Sequence, residues 1–345
     1  KIVVTPGFLF EGPIGIAQDR YSDVTFVLID GNPTVDGAIK INSNAVGITY
    51  AEEQAGFLVG YAAVKDGFTK LGFMGGMAVP AVKRYGFGFI QGAELAAKEM
   101  GVSGVEINYH YTGGFAATPE AQTLAATWYQ GGTEVIFGCG GAVGNSVMAA
   151  AEASTDKYVI GVDVDQSGDS ATVITSAMKG LGASVYQMLE AFYNGTFPGG
   201  QSLVLDATNK GVEIAMSTAK FRTFTQADYD AAFAKLTGGE VVLKKDVDAD
   251  GNELAFFFSD EEQPTYSRGN KVYHSSFDAI KPLAWRDNSL IGSGNNKLIF
   301  KKAGRYPLGL VAAPNGSNWQ LRDIVYLIVH SDIPPKNPTP TLTGV

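Results

Sequence analysis

Two carboxylates and one ammonium group follow apolar segments in the middle of the chain. An apolar run over residues 158–162 ends in Asp163 and Asp165. A β-branched run over residues 172–175 is followed shortly by Lys179. A carboxylate accepts hydrogen bonds from two hydroxyl groups at once, and an ammonium group donates them. Because ligands of open α/β sheets bind beyond the carboxyl ends of the strands, this pattern predicts a site for a hydroxyl-rich small molecule, with Asp163 and Asp165 as alternative acceptors.

A second acidic motif follows at Asp246, Asp248 and Asp250, which have the D-x-D-x-D-G spacing that opens a calcium loop. The twelfth position of such a loop is Phe257 instead of the bidentate glutamate. Glu253 could substitute for it only in a different type of loop. We therefore favour an acidic surface turn over a calcium site.

Catalytic motifs are missing from the sequence. It contains no G-x-S-x-G, H-E-x-x-H or Walker spacing, and its three histidines lack metal-ligand spacing. The single cysteine, Cys139, rules out an intrachain disulfide and is best interpreted as a buried, inert thiol. An enzyme such as a nucleoside hydrolase would need a cluster of carboxylates that binds calcium, and Asp163 and Asp165 alone are too few. The sequence predicts a binding protein without a cofactor, not an enzyme.

The composition excludes two classes of partner. The net charge of −9 and the pI near 4.9 argue against nucleic acid and anionic membranes. The hydrophobic content of 45% and the charged content of 18% fit a globular protein. No apolar run approaches the roughly 20 residues of a membrane-spanning helix.

Short β-branched segments alternate with helical patterns over residues 1–200, which predicts parallel sheets flanked by helices. Strands are predicted at 1–5, 24–29, 45–49, 71–74, 104–111, 134–137, 158–162 and 172–175, and helices at 52–65, 85–99, 119–130, 144–153 and 180–193. Beyond residue 240 the pattern changes to short apolar runs between turns, which predicts an appended β-rich module over 241–335. The proline-rich residues 336–345 are expected to form an extended tail.

Five segments resemble, in the same order, the basic-membrane-protein family, the PnrA-like nucleoside-binding lipoproteins that serve ABC importers. They are residues 47–65, 71–92, 109–115, 134–145 and 158–179. The resemblance covers about residues 1–240 and implies a type I periplasmic-binding-protein fold, in which two α/β lobes joined by three crossovers close on a nucleoside. It assigns residues 1–69 and 164–198 to the first lobe and residues 70–163 and 199–240 to the second.

The resemblance also implies roles for individual residues. Phe115, in the GGF turn, would stack on the base. Asp163 and Lys179 would bind the ribose hydroxyls, and Asp165 stays the alternative to Asp163.

Three further residues match family motifs that surround the ligand. Gly140, in the CGG turn, would let the backbone approach the ligand. Asp30, in the LIDG segment, would read the base, and Phe8, in the GFLF segment, would lie beside the pocket mouth.

One departure from the family concerns the first lobe. The family begins with a strand and a D-x-G-x-x-D-x-S-F-N-like loop, and the sequence from Lys1 onward lacks this pattern. The resemblance thus implies an N-terminally incomplete first lobe, and we expect self-association or a partner chain to cover its edge. It also implies an extracytoplasmic, lipid-anchored protein that works with an ABC permease. The alternative is a surface or assembly protein that reuses the scaffold without a transported ligand.

Overall fold

The computed structural model describes residues 1–245 and, beyond them, the backbone of four separate strands. The strands of the first region are β1 (Ile2–Pro6), β2 (Thr25–Ile29), β3 (Thr34–Val35), β4 (Ala38–Ile39), β5 (Ala45–Tyr50), β6 (Lys70–Gly75), β7 (Glu106–Tyr111), β8 (Val135–Cys139), β9 (Tyr158–Asp163), β10 (Val173–Lys179), β11 (Gln201–Leu205) and β12 (Val212–Ile214). The separate strands are β13 (Tyr266–Ser267), β14 (Asn270–His274), β15 (Gly304–Ala312) and β16 (Gln320–Val329). The possible calcium motif at Asp246, Asp248 and Asp250 lies outside the described residues.

Seven α-helices connect the strands of the described region. They are α1 (Glu11–Arg20), α2 (Glu52–Lys65), α3 (Pro80–Met100), α4 (Pro119–Gln130), α5 (Val143–Glu152), α6 (Leu181–Tyr193) and α7 (Gln226–Thr237). Short 3-10 helices occupy Phe8–Phe10 and Ala207–Asn209. Local signals set several of the boundaries: Thr118 caps α4 through its side chain, and Thr225 forms a capping box with Asp228 at the start of α7.

The first lobe is built on a four-stranded sheet in the order β1-β2-β5-β11, in which all neighbouring strands are parallel. The central strands β2 and β5 are buried along most of their length, as expected for parallel strands covered by other elements. Helices α1 and α6 pack against this sheet. Asp30 directly follows the buried strand β2, so the sheet brings its carboxylate to the carboxyl edge.

The second lobe is built on an eight-stranded sheet in the order β12-β10-β9-β8-β6-β7-β14-β13. Its five central strands, from β10 to β7, are parallel, and the flanking strands pair antiparallel. Strand β14 therefore extends this sheet beyond the edge strand β7. The other separate strands, β15 and β16, pair with each other, which agrees with the β-rich character predicted for this part of the chain.

Helices α2 and α3 pack against each other at unusually short range because glycines line both surfaces. A methyl group at Gly56 or Gly60 would overlap the backbone of α3, and one at Gly88 or Gly92 would overlap the backbone of α2. The helix backbones can approach closely only because these side chains are missing. The contact fixes the position of the first turn of α2, which enters the site described below.

The sheet topology differs from the predicted lobe boundaries at three segments. Strand β10, predicted in the first lobe, pairs with β9 in the larger sheet, and β11, predicted in the second lobe, pairs with β5. Helix α2, also predicted in the first lobe, packs against α3 and β10. A strand's apolar pattern does not specify which sheet it joins, so the sequence could not locate these crossings. The chain passes between the sheets three times, after β5, β10 and β11.

Two elements also differ locally from the prediction. Strand β10 continues to Lys179 instead of ending at residue 175, so Lys179 terminates the strand. Helix α1 was not predicted, since its first turn contains Gly12 and Pro13, which normally signal a turn. Pro13 is tolerated there because the first backbone N–H groups of a helix have no intrahelical partner.

The edge of the first lobe is open within the described part of the chain. There, β1 pairs only with β2, and Val3 in the middle of this edge strand is 40% exposed. None of the described helices combines the length and apolar character needed to cross a membrane.

Candidate functional site

Two aspartates end strands of different sheets and share an uncommon backbone conformation. Asp30 follows β2 and has a φ of 65°, and Asp163 ends β9 with a φ of 66°. Aspartate tolerates this left-handed region better than most residues. Both carboxylates contact the same ammonium group, that of Lys179 at the end of β10.

Lys179 is surrounded by three carboxylates, and we call these four residues the ammonium cluster. Its Nζ lies 2.7 Å from Asp30 Oδ1, 3.2 Å from Asp163 Oδ1 and 3.5 Å from Glu52 Oε1. The side chains of Lys179 and Glu52 are each 2% exposed, whereas those of Asp30 and Asp163 are 28% and 42% exposed. Asp30 and Asp163 therefore face solvent, and Glu52 lies behind the ammonium group.

The charges of the cluster oppose the effect of burial on Lys179. Desolvation alone lowers the pKa of this lysine, but the negative charges of Asp163, Glu52 and Asp30 outweigh it and hold the pKa well above its usual value. Lys179 is thus a charged, buried donor that lies behind the more exposed carboxylates of Asp30 and Asp163.

Two tyrosines complete the surroundings of the ammonium group. Lys179 Nζ lies 5.7 Å from the ring centroid of Tyr50 and 5.3 Å from that of Tyr85, within the range of cation–π attraction. The Tyr85 hydroxyl donates to Asp163 Oδ1 at 3.2 Å. These contacts restrict the lysine side chain and orient the Asp163 carboxylate.

The crossovers between the sheets are tied together beside the ammonium cluster. The Tyr50 hydroxyl lies 2.6 Å from Ser184 Oγ, which links the first crossover to the second. Backbone hydrogen bonding from Ala51 N to Leu205 O, at 2.8 Å, links the first to the third. The cluster therefore lies beside the segments that connect the two sheets.

Two aromatic rings from different lobes contact each other, and we call them the aromatic pair. The ring centroids of Phe8, in the first lobe, and Phe115, in the loop after β7, are 5.9 Å apart and the rings are tilted by 55°. Phe8 is 37% exposed. The two lobes thus contact each other through an apolar pair as well as through the Asp30–Lys179 ion pair.

Gly140 allows the loop below Phe115 to pack tightly. Its φ of 147° is a conformation that L-residues rarely adopt, and a Cβ there would lie 2.6 Å from Gly76 N and 3.3 Å from Phe115 Cδ1. A side chain at this position would displace the phenylalanine ring. Cys139, the preceding residue, is buried, and desolvation raises the pKa of its thiol well above the usual value, which fits an inert thiol.

The structure separates the two aspartates that the sequence left as alternatives. Asp163 contacts Lys179, whereas Asp165 accepts hydrogen bonds from Ser167 N at 2.9 Å and from Thr218 Oγ1 at 2.7 Å. Asp165 therefore stabilises the loop after β9, and Asp163 is the carboxylate at the cluster. In the described part of the chain, no group of histidine, cysteine and carboxylate side chains has an arrangement that could hold a metal ion.

Sequence reasoning missed Glu52 entirely. An acidic pair at the start of a predicted helix is normally explained by the favourable field of the helix N-terminus, and nothing in the pattern indicates that Glu52 is buried. One signal was available: Glu52 lies three residues after the predicted strand 45–49. Residues that follow parallel strands meet at the same edge of a sheet. Burial raises the pKa of Glu52 to about 7, in opposition to the charge of Lys179.

Comparison with known proteins identifies the sequence and fold relatives of the chain. Residues 1–236 match the sequence profile of the family described as ABC transporter substrate-binding protein PnrA-like. The ABC transporter nucleoside-binding protein BmpA of Lactococcus lactis is 31% identical over 237 residues, which cover 64% of this chain and 64% of that protein. Basic membrane protein A2 of Borrelia garinii is 30% identical over 238 residues, covering 65% of this chain and 68% of that protein. The match to the Lactococcus protein thus spans less than two thirds of its length.

Solved structures agree on the fold. A solute-binding protein of an ABC transporter system from Aeropyrum pernix superposes with a TM-score of 0.60 at 22% identity, over 72% of this chain and 78% of that one. A second such protein, from Conexibacter woesei, gives a TM-score of 0.57 at 27% identity, over 71% and 79% of the two chains. These similarities confirm the two-lobed, periplasmic-binding-protein-like fold that the sequence predicts.

Proposed function

The chain belongs to the family of PnrA-like ABC transporter substrate-binding proteins, and on this basis we propose that it binds a purine nucleoside or a similar ribose-bearing ligand between its lobes. The observation that carries the proposal is the ammonium cluster, which offers exposed acceptors and a fixed donor at the hinge. The ligand would be released unchanged, so the proposed role is binding without catalysis.

The ribose fits the chemistry of Asp163 and Lys179. Both described contacts of Asp163, from Tyr85 and Lys179, use Oδ1, so Oδ2 is available to accept from a ribose hydroxyl. Lys179 donates to a hydroxyl oxygen of the same ligand. An apolar ligand would leave Asp163 Oδ2 without a hydrogen-bond partner in a closed site, which costs about 1–3 kcal/mol, so a polyol is favoured.

The base fits the aromatic pair. A planar base that stacks on Phe115 replaces the present contact between Phe115 and Phe8 and keeps an aromatic surface in contact with each lobe. Asp30, whose carboxylate is partly exposed, is the proposed acceptor for an N–H group of the base. Contacts from both lobes to one ligand favour the closed arrangement over the open one, which is the basis of hinge closure.

Isothermal titration calorimetry of the full chain with adenosine, inosine and free adenine tests the proposal. The protein is first unfolded, dialysed and refolded to remove any retained ligand. We expect binding of at least one nucleoside and weaker binding of the free base. Asp165→Asn is the matched control, because Asp165 bonds away from the cluster and its change should leave the affinity unaltered. Absence of heat with every nucleoside would overturn the proposal.

Membership of the family also supports a proposal about where this protein acts and which partner it has. We propose that the protein acts outside the cytoplasm, is held at the membrane by a lipid group and delivers its ligand to an ABC permease. Metabolic labelling of the natural producer with radioactive palmitate, followed by fractionation, tests the location. Recovery of unlabelled protein from the cytoplasmic fraction would contradict it.

A further inference from the structure

Glu52 is the one buried carboxylate of the ammonium cluster, whereas Asp30 and Asp163 are partly exposed. Its side chain is 2% exposed, its Oε1 lies 3.5 Å from Lys179 Nζ, and its Oε2 lies 3.6 Å from Arg84 Nη1 without a hydrogen bond. Burying a carboxylate is costly, so a chain that keeps one here without full hydrogen bonding needs an explanation beyond packing.

The geometry of an ammonium group supplies that explanation. Lys179 has three N–H donors, and its three carboxylate neighbours surround Nζ. For Lys179 to donate to a ligand, one of these carboxylates must move away from Nζ. Asp30 and Asp163 are the exposed members and can turn toward the ligand, whereas Glu52 is fixed in the first turn of α2 by the close contact with α3.

We propose that Glu52 is a positioning residue for Lys179, which neutralises and holds the ammonium group from behind while the ligand occupies Asp30 and Asp163 in front. This inference rests on the proposed nucleoside site and adds a residue to it. Without the negative charge of Glu52, Lys179 depends on Asp30 and Asp163 for compensation, and the ligand must compete with both.

Acidification is expected to act on the same residue. The charged and titratable groups around Glu52 are Lys179 on β10, Asp30 after β2, Arg84 and Tyr85 on α3, Tyr50 on β5, Cys139 on β8 and Asp163 on β9. Desolvation raises the pKa of Glu52 to about 7, and the pKa values of Lys179, Tyr50 and Tyr85 are raised above their usual ranges. Protonation of Glu52 between pH 8 and 6 should therefore weaken ligand binding.

The test is calorimetric titration of the full chain with the best-binding nucleoside at pH 6, 7 and 8. We expect Glu52→Gln to bind about tenfold more weakly than the wild type at pH 8, with the difference shrinking to about twofold at pH 6. Glu52→Asp, which keeps a charge, should regain part of the affinity at pH 8. Thermal unfolding confirms that each variant is folded.

Glu53→Gln is the matched control, because Glu53 is an equally buried glutamate one residue further along α2 whose Oε1 pairs with Lys245, 3.2 Å away. It should keep the affinity and pH profile of the wild type. If the wild type binds a nucleoside but Glu52→Gln binds equally well at every pH, or if Glu53→Gln loses the same affinity, the inference is wrong and the proposed function stands. If the wild type binds no nucleoside, both are wrong.

Discussion

Asp30 Oδ1 lies 2.7 Å from Lys179 Nζ, although the two residues are 149 positions apart and their strands belong to different sheets. This ion pair exists only while the carboxyl edges of the two sheets are close. Under the hinge closure proposed above, separation of the lobes would break this pair, and a ligand that bonds to both residues would have to rearrange it.

The Asp163 carboxylate is the group on which ligand affinity should depend most. Asp163→Ala is expected to weaken nucleoside binding at least 100-fold, since it removes an acceptor of hydroxyl groups in a closed site. The left-handed backbone of this position and its contact with buried Lys179 predict a moderate loss of thermal stability in the same variant. Calorimetry and thermal unfolding measure the two effects, and unchanged affinity would contradict the assignment.

Lys179 should matter for folding as well as for binding. Lys179→Met leaves Asp30, Glu52 and Asp163 without their shared cation, and loss of one partner from a buried ion pair costs about 3 kcal/mol or more. Urea unfolding at pH 8 measures the change. Lys40→Met is the control, because Lys40 pairs with Asp19 at the surface, where solvent screens the pair and its loss should leave the midpoint nearly unchanged. Equal midpoints for the two variants would contradict the prediction.

Glu52 predicts a pH dependence of stability with a defined sign. Its pKa rises from 4.5 in the unfolded chain to about 7 in the native protein, so the native state binds the proton more tightly. The stability that this provides is complete below pH 4.5 and is lost as the pH rises through 7. The wild type should thus lose about 3 kcal/mol relative to Glu52→Gln between pH 4.5 and 8. Urea unfolding of both proteins across this range is the measurement, and a constant difference would contradict it.

The close packing of α2 and α3 gives a prediction about a single methyl group. In Gly88→Ala the new Cβ would overlap the carbonyl oxygen of Glu53, so the helices must separate at a cost of about 1–3 kcal/mol. Ligand affinity should fall as well, because the first turn of α2 shifts. In the control Gly182→Ala the new methyl group meets nothing within 4 Å, and the helix α6 should become more stable by about 0.5–1 kcal/mol. Chemical unfolding and calorimetry test both variants, and equal stability would contradict the argument.

Much of the fold and part of the site could be predicted from the sequence. The strand-end pattern led to Asp163 and Lys179, and the structure brings both to one cluster with Asp30. Their roles in ligand binding stay predictions. These residues could be predicted from the sequence because apolar runs that end in charged residues mark the carboxyl edge of a parallel sheet.

Other features could not be predicted from the sequence, for physical reasons. The burial of Glu52 depends on the contact of α2 with α3, which is made by glycines that look like ordinary helix-weakening residues in the sequence. The sheet joined by β10 depends on the path of the crossovers, which no local pattern specifies. Helix α1 was missed because tertiary packing overrides the local signals of Gly12 and Pro13.

The left-handed backbone at Asp30 and Asp163 limits how this site can change during evolution. Asparagine and glycine adopt such a conformation readily, whereas glutamate and the β-branched residues do so at a penalty of about 1 kcal/mol or more. A lineage that abandoned its ligand while retaining the scaffold would thus be expected to pass through asparagine or glycine at these two places. The same two replacements in a homologue would indicate a protein that no longer binds the proposed ligand.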